Sequence, residues 1–336
     1  MIHRMILCGV LAAMALSAQT KKILVEGNPA LAKELQAVSS QVKIVPVTPE
    51  TVMQEIGDAD AFIGNIKPAE VRAGKNLKWV QVNSAGVENV LFKSGTNDLR
   101  DSNIILTNNK VVQGPEIADH AMAMLLMMTR RLNLFFRNTM NETWNPPRPF
   151  PGIELRDKNA LIIGVGGIGN QIAQRAWAFG MNVVGVDPED KPFSPFIRKY
   201  VKPDQLDEEI PQADVVFIST PDTPMSHKMM KTKEFDLMKQ HSYFIAVSRG
   251  GIYEMDGLVK ALDSKRLDGA GVDVTDPEPL PKGHALWKFD NVIVTPHIAG
   301  RSDKDNGRMV GTMKENIRRF VDGRPLVNIV DKQKGY

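Results

Sequence analysis

Ala160-Leu161-Ile162-Ile163-Gly164-Val165-Gly166-Gly167-Ile168-Gly169 decides the fold. An apolar run of strand type leads into a G-x-G-x-x-G loop. A helical pattern leads out, with Ile168, Ile172, Ala176 and Phe179 on one face, until Gly180 stops it. A second strand pattern, Asn182 to Asp187, ends in an acid eighteen residues past Gly169. Strand, glycine turn, helix, strand and terminal acid are the parts of a dinucleotide-binding βαβ unit. Gly164 permits the tight turn, Gly166 lets backbone approach a pyrophosphate, and Gly169 lets helix and strand pack closely; Gly167 and Ile168 complete the loop. The helix start offers free N–H groups and a positive dipole end to phosphates. Asp187 is placed to accept from both hydroxyls of an adenosine ribose, where a 2′-phosphate would meet a carboxylate. The pattern therefore favours NAD over NADP.

Strand patterns continue on both sides of this unit. Upstream lie Lys22 to Val25, Val42 to Val47, Ala59 to Gly64, Lys78 to Asn83 and Ile104 to Thr107. From Ala160 onward there are six: Ala160 to Gly164, Asn182 to Asp187, Asp214 to Thr220, Tyr243 to Ser248, Ala270 to Val274 and Val292 to Thr295. Helical or loop stretches separate them, and such alternation implies parallel sheets. Pro115 to Arg131 reads as a long helix with Ala118, Met122, Leu125, Leu126 and Met128 on an apolar face, suited to a place between two domains. Lys304 to Val321 reads as a second long helix, and Asn145 to Gly152, with four prolines in eight residues, as an extended loop.

The expected fold is α/β: two Rossmann-like or flavodoxin-like domains with doubly wound parallel sheets and the active site in the cleft between them. A chain of 336 residues has room for both. The expected boundaries are 111–295 for the dinucleotide domain and 20–110 plus 296–336 for the discontinuous substrate domain.

Composition excludes several function classes. With 42 Lys and Arg against 39 Asp and Glu, and basic pairs scattered along the chain, there is no basic face for nucleic acid. A single cysteine, Cys8, rules out an intrachain disulfide framework and a Cys-based metal site. The scattered histidines show no ligand spacing, so no metal is expected. Residues 1–18 resemble a secretory leader: Arg4, an uncharged run from Met5 to Leu16, then small residues at Ser17 and Ala18. Export to the periplasm is the expectation, with a cytoplasmic chain as the alternative. Beyond the leader no run is long enough to span a membrane.

Three later segments carry the chemistry: Ser248-Arg249-Gly250-Gly251, Gly271 to Leu280 (GVDVTDPEPL) and Thr295 to Gly300 (TPHIAG). With the glycine loop, their order and spacing resemble the D-isomer-specific 2-hydroxyacid dehydrogenase family over nearly all of Lys22 to Val330. The helix opening GPEIADHAMAMLL and Trp144 resemble it too. The resemblance implies that Arg249 binds the substrate carboxylate and 2-oxo group, that His297 is the general acid/base, and that Glu278 hydrogen-bonds His297. It places Asp273 near the nicotinamide carboxamide, and Ser84-Ala85-Gly86 at the substrate carboxylate through backbone N–H groups. Thr220 and Pro221 fall along the adenosine, with Val247, Ser248 and Gly300 on the cofactor surface. It also implies a homodimer. Gly167 departs from the family, which often carries a larger residue there, and the leader departs from a normally cytosolic family.

The residues make chemical sense of this reading. Arg249 is a permanently charged fork that matches a carboxylate. A histidine delivers or takes a proton near neutral pH, and a paired carboxylate favours its protonated ring. Arg249 also polarises a carbonyl whose oxygen gains charge. Glu278 separates the chain from formate-dehydrogenase-like members, which carry glutamine there. Read singly, Arg249 is an ion-pair partner, Glu278 a loop acid and His297 a turn residue. His120, His227, His241 and His284 read as structural or solvent-facing. Two other functions remain: a dinucleotide-sensing or protein-binding relative without turnover, and an enzyme acting on another anion such as phosphite.

Overall fold

The computed structural model describes residues 20–146 and 152–336. Residues 1–19, on which the expected leader falls, and most of the proline-rich segment lie outside the described residues.

Five strands form the first sheet: β1 (Lys21–Glu26), β2 (Val42–Val47), β3 (Ala61–Ile63), β4 (Trp79–Gln81) and β5 (Ile105–Thr107), in the order β2-β1-β3-β4-β5. Every pairing is parallel. This is the flavodoxin-like order. Seven strands form the second sheet: β6 (Asn159–Ile163), β7 (Asn182–Val186), β8 (Lys199–Val201), β9 (Val215–Ile218), β10 (Ser242–Ala246), β11 (Leu267–Val272) and β12 (Val292–Val294). Their order, β12-β11-β10-β9-β6-β7-β8, is again wholly parallel. From β6 outward it is the Rossmann arrangement with one strand added, and the order reverses between β6 and β9. The chain is thus the expected α/β protein with two doubly wound sheets.

Strands buried on both faces explain why these segments read as continuous apolar runs. Ile162 packs with Phe217, Ile245 and the helix Gly114–Thr129 on one face of the second sheet; Ile163 packs with Ile218, Phe244 and Leu258 on the other. In the first sheet Ile23 and Trp79 pack with Val310, Met313 and Ile317 of the helix Asp305–Asp322, whereas Leu24, Phe62 and Val80 face the opposite cluster. The last long helix therefore returns to the first sheet.

Four readings need correction. The helix Gly114–Thr129 is buried mainly against the second sheet rather than sandwiched evenly between two bodies; its start meets the helix Asp305–Asp322 through Arg308 Nη2 to Glu116 Oε2 at 2.6 Å. Phe179 lies past the end of the helix Gly167–Ala178 and is exposed, so only Ile172 and Ala176 of the expected face are buried, with Ile168 packed partly against them. The strand expected over Ala270 to Val274 spans Leu267–Val272. Gly269 and Gly271 are inside it because Met128 Sδ and Met124 Cβ come within 2.7 and 2.9 Å of where their side chains would start. Seven strands, not six, build the second sheet. β8 is a three-residue edge strand with one buried residue, too short for alternation to register.

Candidate active site

The glycine loop follows β6 at the point where strand order reverses, the usual crevice for a ligand in an open α/β sheet. Gly164 has φ +91 and a Cβ there would lie 2.6 Å from the Thr220 backbone. Thr220 and Pro221 thus border the loop. At Gly169 a Cβ would sit 2.0 Å from the Gly164 carbonyl oxygen, so loop and helix touch backbone to backbone. Gly167 has its own local reason: Val111 Cα lies 2.6 Å from its missing Cβ, where a larger residue would collide. Gly166, by contrast, faces open space, with no atom within 4 Å of its would-be Cβ. An empty space before the first turn of the helix Gly167–Ala178 is what a pyrophosphate requires. Buried Asp187 stands at the end of β7, where its Oδ2 accepts from Val165 N at 2.9 Å and its Oδ1 from Glu189 N at 3.0 Å. Lys191 Nζ lies 3.1 Å from Oδ1. These residues fit a dinucleotide.

His297 follows β12 in a left-handed conformation, φ 53, uncommon outside glycine and a form of strain found at functional sites. Asp273 holds it there. The Asp273 carboxylate accepts from Thr295 Oγ1 at 2.5 Å and from Ile298 N and Ala299 N at 2.9 Å each, while His297 N donates to the Asp273 carbonyl at 2.9 Å. Both Asp273 oxygens are thereby spent on the histidine segment. His120 joins the same network, its Nε2 3.0 Å from Thr295 Oγ1. Gly300, next along the segment, takes the amide of Gln113 on its carbonyl at 2.9 Å.

His297 Nδ1 lies 2.9 Å from Glu278 Oε2. An ionised carboxylate only accepts, so Nδ1 donates and Nε2 is left for a substrate. The other Glu278 oxygen accepts from Thr275 N at 3.0 Å. Thr275 in turn packs on Gly250, where a Cβ would lie 2.0 Å from its carbonyl oxygen. Arg249 precedes that contact directly, so one continuous set of contacts links Arg249, Glu278 and His297.

Arg249 reaches across to the loop after β4. Its Nη2 lies 2.2 Å from where a Gly86 side chain would begin, so only glycine leaves room for the guanidinium. Its Nη1 donates to Ser248 O at 2.7 Å and its Nε to Glu88 Oε1 at 2.6 Å. The loop Ser84-Ala85-Gly86 is pinned by Asn108 Nδ2 to Ala85 O at 2.6 Å, by Asn109 N to Ser84 O at 3.0 Å, and by Ser84 Oγ to Gly86 O at 2.5 Å. Val247 N continues the sheet by donating to Ile218 O at 3.2 Å, and buried Ser248 Oγ has no partner.

Glu88 is the residue that the sequence reading missed. It is 5 % exposed, and its second oxygen has no hydrogen-bond partner. It lies two residues beyond Gly86 in the motif NSAGVEN, but nothing local shows that it would meet Arg249, 161 residues away. A second cross-body pair was also missed. Lys93 Nζ lies 2.8 Å from buried Asp222, whose other oxygen meets His227 Nδ1 at 3.0 Å. Burial pushes the Asp222 pKa up, but the hydrogen bonds from Lys93 and His227 outweigh it and leave the carboxyl below its ordinary value. His241 pairs with Asp268, and His284 caps a short helix by accepting from Leu286 N.

The model of the D-isomer specific 2-hydroxyacid dehydrogenase NAD-binding domain matches residues 122–299, more than half of the chain. The chain belongs to this family. A D-3-phosphoglycerate dehydrogenase of Methanocaldococcus jannaschii is 29% identical over 89% of this chain, which spans only 57% of that relative's length. A glyoxylate reductase of Thermofilum pendens is 27% identical, with 93% of each chain covered. Among solved structures, an NADPH-dependent glyoxylate/hydroxypyruvate reductase of Sinorhizobium meliloti in complex with NADP and sulfate superposes with a TM-score of 0.79 at 23% identity, covering 94% of this chain and all of that one. That likeness concerns the fold.

Proposed function

We propose that this family member is an NAD-dependent dehydrogenase that interconverts a small D-2-hydroxy acid and its 2-oxo acid. The observation that carries the reading is the joining of two pairs by continuous contacts: His297 with Glu278, and Arg249 with the Gly86 loop. Residues 111–295 act as the dinucleotide unit, and 20–110 with 296–336 as the substrate unit. Gly164, Gly166, Gly167, Ile168 and Gly169 hold the phosphates, Asp187 the ribose, and Thr220 and Pro221 flank the adenosine. The nicotinamide, when bound, supplies the hydride. Arg249 and the Ser84–Gly86 N–H groups hold the substrate carboxylate. His297 gives its Nε2 proton to the carbonyl oxygen, and Glu278 stabilises the ring while it is charged. In the reverse direction His297 takes the hydroxyl proton.

Asp187 supports NAD, since a 2′-phosphate would approach a buried carboxylate; Lys191 beside it offsets part of that repulsion. The test is NADH oxidation by the chain starting at Gln19 across a panel of 2-oxo acids, with NADPH in parallel. Turnover with NADH on one acid class, giving a D product, is the expected result. NADH binding without turnover on any acid would favour a sensing relative, and faster turnover with NADPH would overturn the cofactor assignment.

The partner proposed for the chain is a second copy of itself. The helix Leu132–Met140 buries none of its residues, and Phe136 and Met140 are 64% and 71% exposed on it. An apolar surface of this kind on a soluble protein marks an interaction face. Sedimentation should show a dimer for the wild type and a monomer for Phe136→Glu with Met140→Glu; a monomeric wild type would remove the proposal.

A further inference from the structure

Residues 331–336 form a compact turn welded to the first sheet and pressed against the second. At its root Val330 N donates to Leu106 O at 2.9 Å, and Ile329 bridges to Thr107 of β5. Lys332 Nζ then enters a nest of carbonyls, donating to Leu99 O at 3.0 Å, Ser102 O at 2.5 Å and Ile104 O at 2.9 Å. That uses all three ammonium donors, and burial lowers the Lys332 pKa. The turn closes on itself through Asp331, whose Oδ1 accepts from Gln333 N and Lys334 N and whose carbonyl accepts from Gly335 N at 2.7 Å. Gly335, at φ +83, takes a conformation that favours glycine, and its missing side chain would fall 2.5 Å from Phe92 and 3.3 Å from Thr223. So rigid a turn has a fixed direction.

That direction is toward the end of β7. Lys334 Nζ lies 2.6 Å from Glu189 Oε1, and the Tyr336 hydroxyl donates to the same oxygen at 3.0 Å. Glu189 N donates to the Asp187 carboxylate. Burial first, then the hydrogen bond to Glu189 and the charges of Glu189 and Asp187, push the Tyr336 pKa up to about 12. On the other side Thr223 stands two residues beyond Pro221. An element carried by the first sheet thus meets Glu189, two residues past Asp187, and approaches Thr223, two residues past Pro221, one on each border of the proposed adenosine position.

We propose that residues 331–336 form the outer wall of the adenosine half of the dinucleotide site, with Lys334 and Tyr336 as positioning residues that hold Glu189 beside Asp187. This rests on the dinucleotide reading above. Because the wall belongs to the first sheet's body, it ties adenosine binding to the relative placement of the two bodies. Arg249, Glu278 and His297, which would face the nicotinamide, are not among the partners of this turn.

The test measures binding of NADH, ADP-ribose and reduced nicotinamide mononucleotide to the full chain, to Lys334→Ala with Tyr336→Phe, and to Lys334→Arg. Loss of an exposed ion pair and of one hydrogen bond to a charged group should weaken NADH and ADP-ribose about five- to tenfold. The mononucleotide should bind unchanged, the thermal midpoint should hold, and Lys334→Arg should behave as wild type. Unchanged NADH and ADP-ribose affinity overturns the proposal, and so does equal weakening of the mononucleotide, which marks a general distortion. A wild-type chain that binds none of the three overturns the dinucleotide reading itself, and this proposal with it.

Discussion

Replacing His297 with asparagine should lower the rate of 2-oxo acid reduction by about 10²- to 10⁴-fold, the usual worth of a positioned proton donor. Asparagine is the informative replacement because position 297 has φ 53. Asparagine tolerates that left-handed conformation, whereas alanine would add backbone strain to the loss of the ring. The segment should stay folded, since Asp273 holds it through Thr295, Ile298 and Ala299 and not through the imidazole. NADH affinity should therefore change little while kcat collapses, the pattern expected when a group acts in the transition state. Glu278→Gln should give a smaller loss. An amide still accepts from His297 Nδ1 but no longer offsets the charge of the protonated ring. Reduction needs the protonated ring and oxidation the neutral one, so the Gln variant should lose more of the forward rate than of the reverse. Wild-type turnover in the His297→Asn protein would remove His297 from the chemistry and leave the pair with Glu278 as a structural contact.

What the sequence discloses of this site follows from how local each interaction is. Gly164, Gly166 and Gly169 act within one turn, and Asp187 ends the next strand, so spacing alone places them. His297 and Glu278 are nineteen residues apart and belong to two recognisable segments. Glu88 and residues 331–336 were invisible for the opposite reason. Glu88 acts on a residue 161 positions away, and Lys334 and Tyr336 act on Glu189 across 145 and 147. No pattern in a single segment encodes such a meeting, which exists only once the two sheets are set side by side. The same limit applied to the fold. β6 and β9 are buried on both faces and read clearly, whereas the edge strand β8 and the unburied helix Leu132–Met140 carry little of the periodicity that burial writes into a sequence.

Arg249→Ala should damage both stability and substrate binding, and a second substitution should separate the two. Arg249 neutralises Glu88, a carboxylate 5 % exposed with one oxygen already unpartnered. Removing the guanidinium strands that charge, and breaking a buried pair from one side costs about 3–5 kcal/mol. The same change removes the fork proposed to hold the substrate carboxylate, for which a loss of about 10²- to 10³-fold in kcat/KM corresponds to some 3–4 kcal/mol of transition-state stabilisation. Adding Glu88→Gln to Arg249→Ala takes the stranded charge away. The double variant should regain most of the lost denaturation midpoint and none of the lost kcat/KM. Recovery of activity along with stability would mean that Arg249 serves only to neutralise Glu88. An Arg249→Ala protein with wild-type kcat/KM would place the substrate carboxylate elsewhere, on the Ser84–Gly86 backbone alone. Glu88→Gln by itself completes the cycle. With less negative charge to share, Arg249 should grip an anion more tightly, so a carboxylate inhibitor such as oxalate should bind more strongly than to wild type. The ground-state complex gains from that and the transition state does not, because Glu88 also fixes the Nε edge of the guanidinium at 2.6 Å and so aims the remaining donors past Gly86. A tighter inhibitor with a lower kcat is the expected signature of an acid retained beside an anion site to orient its arginine.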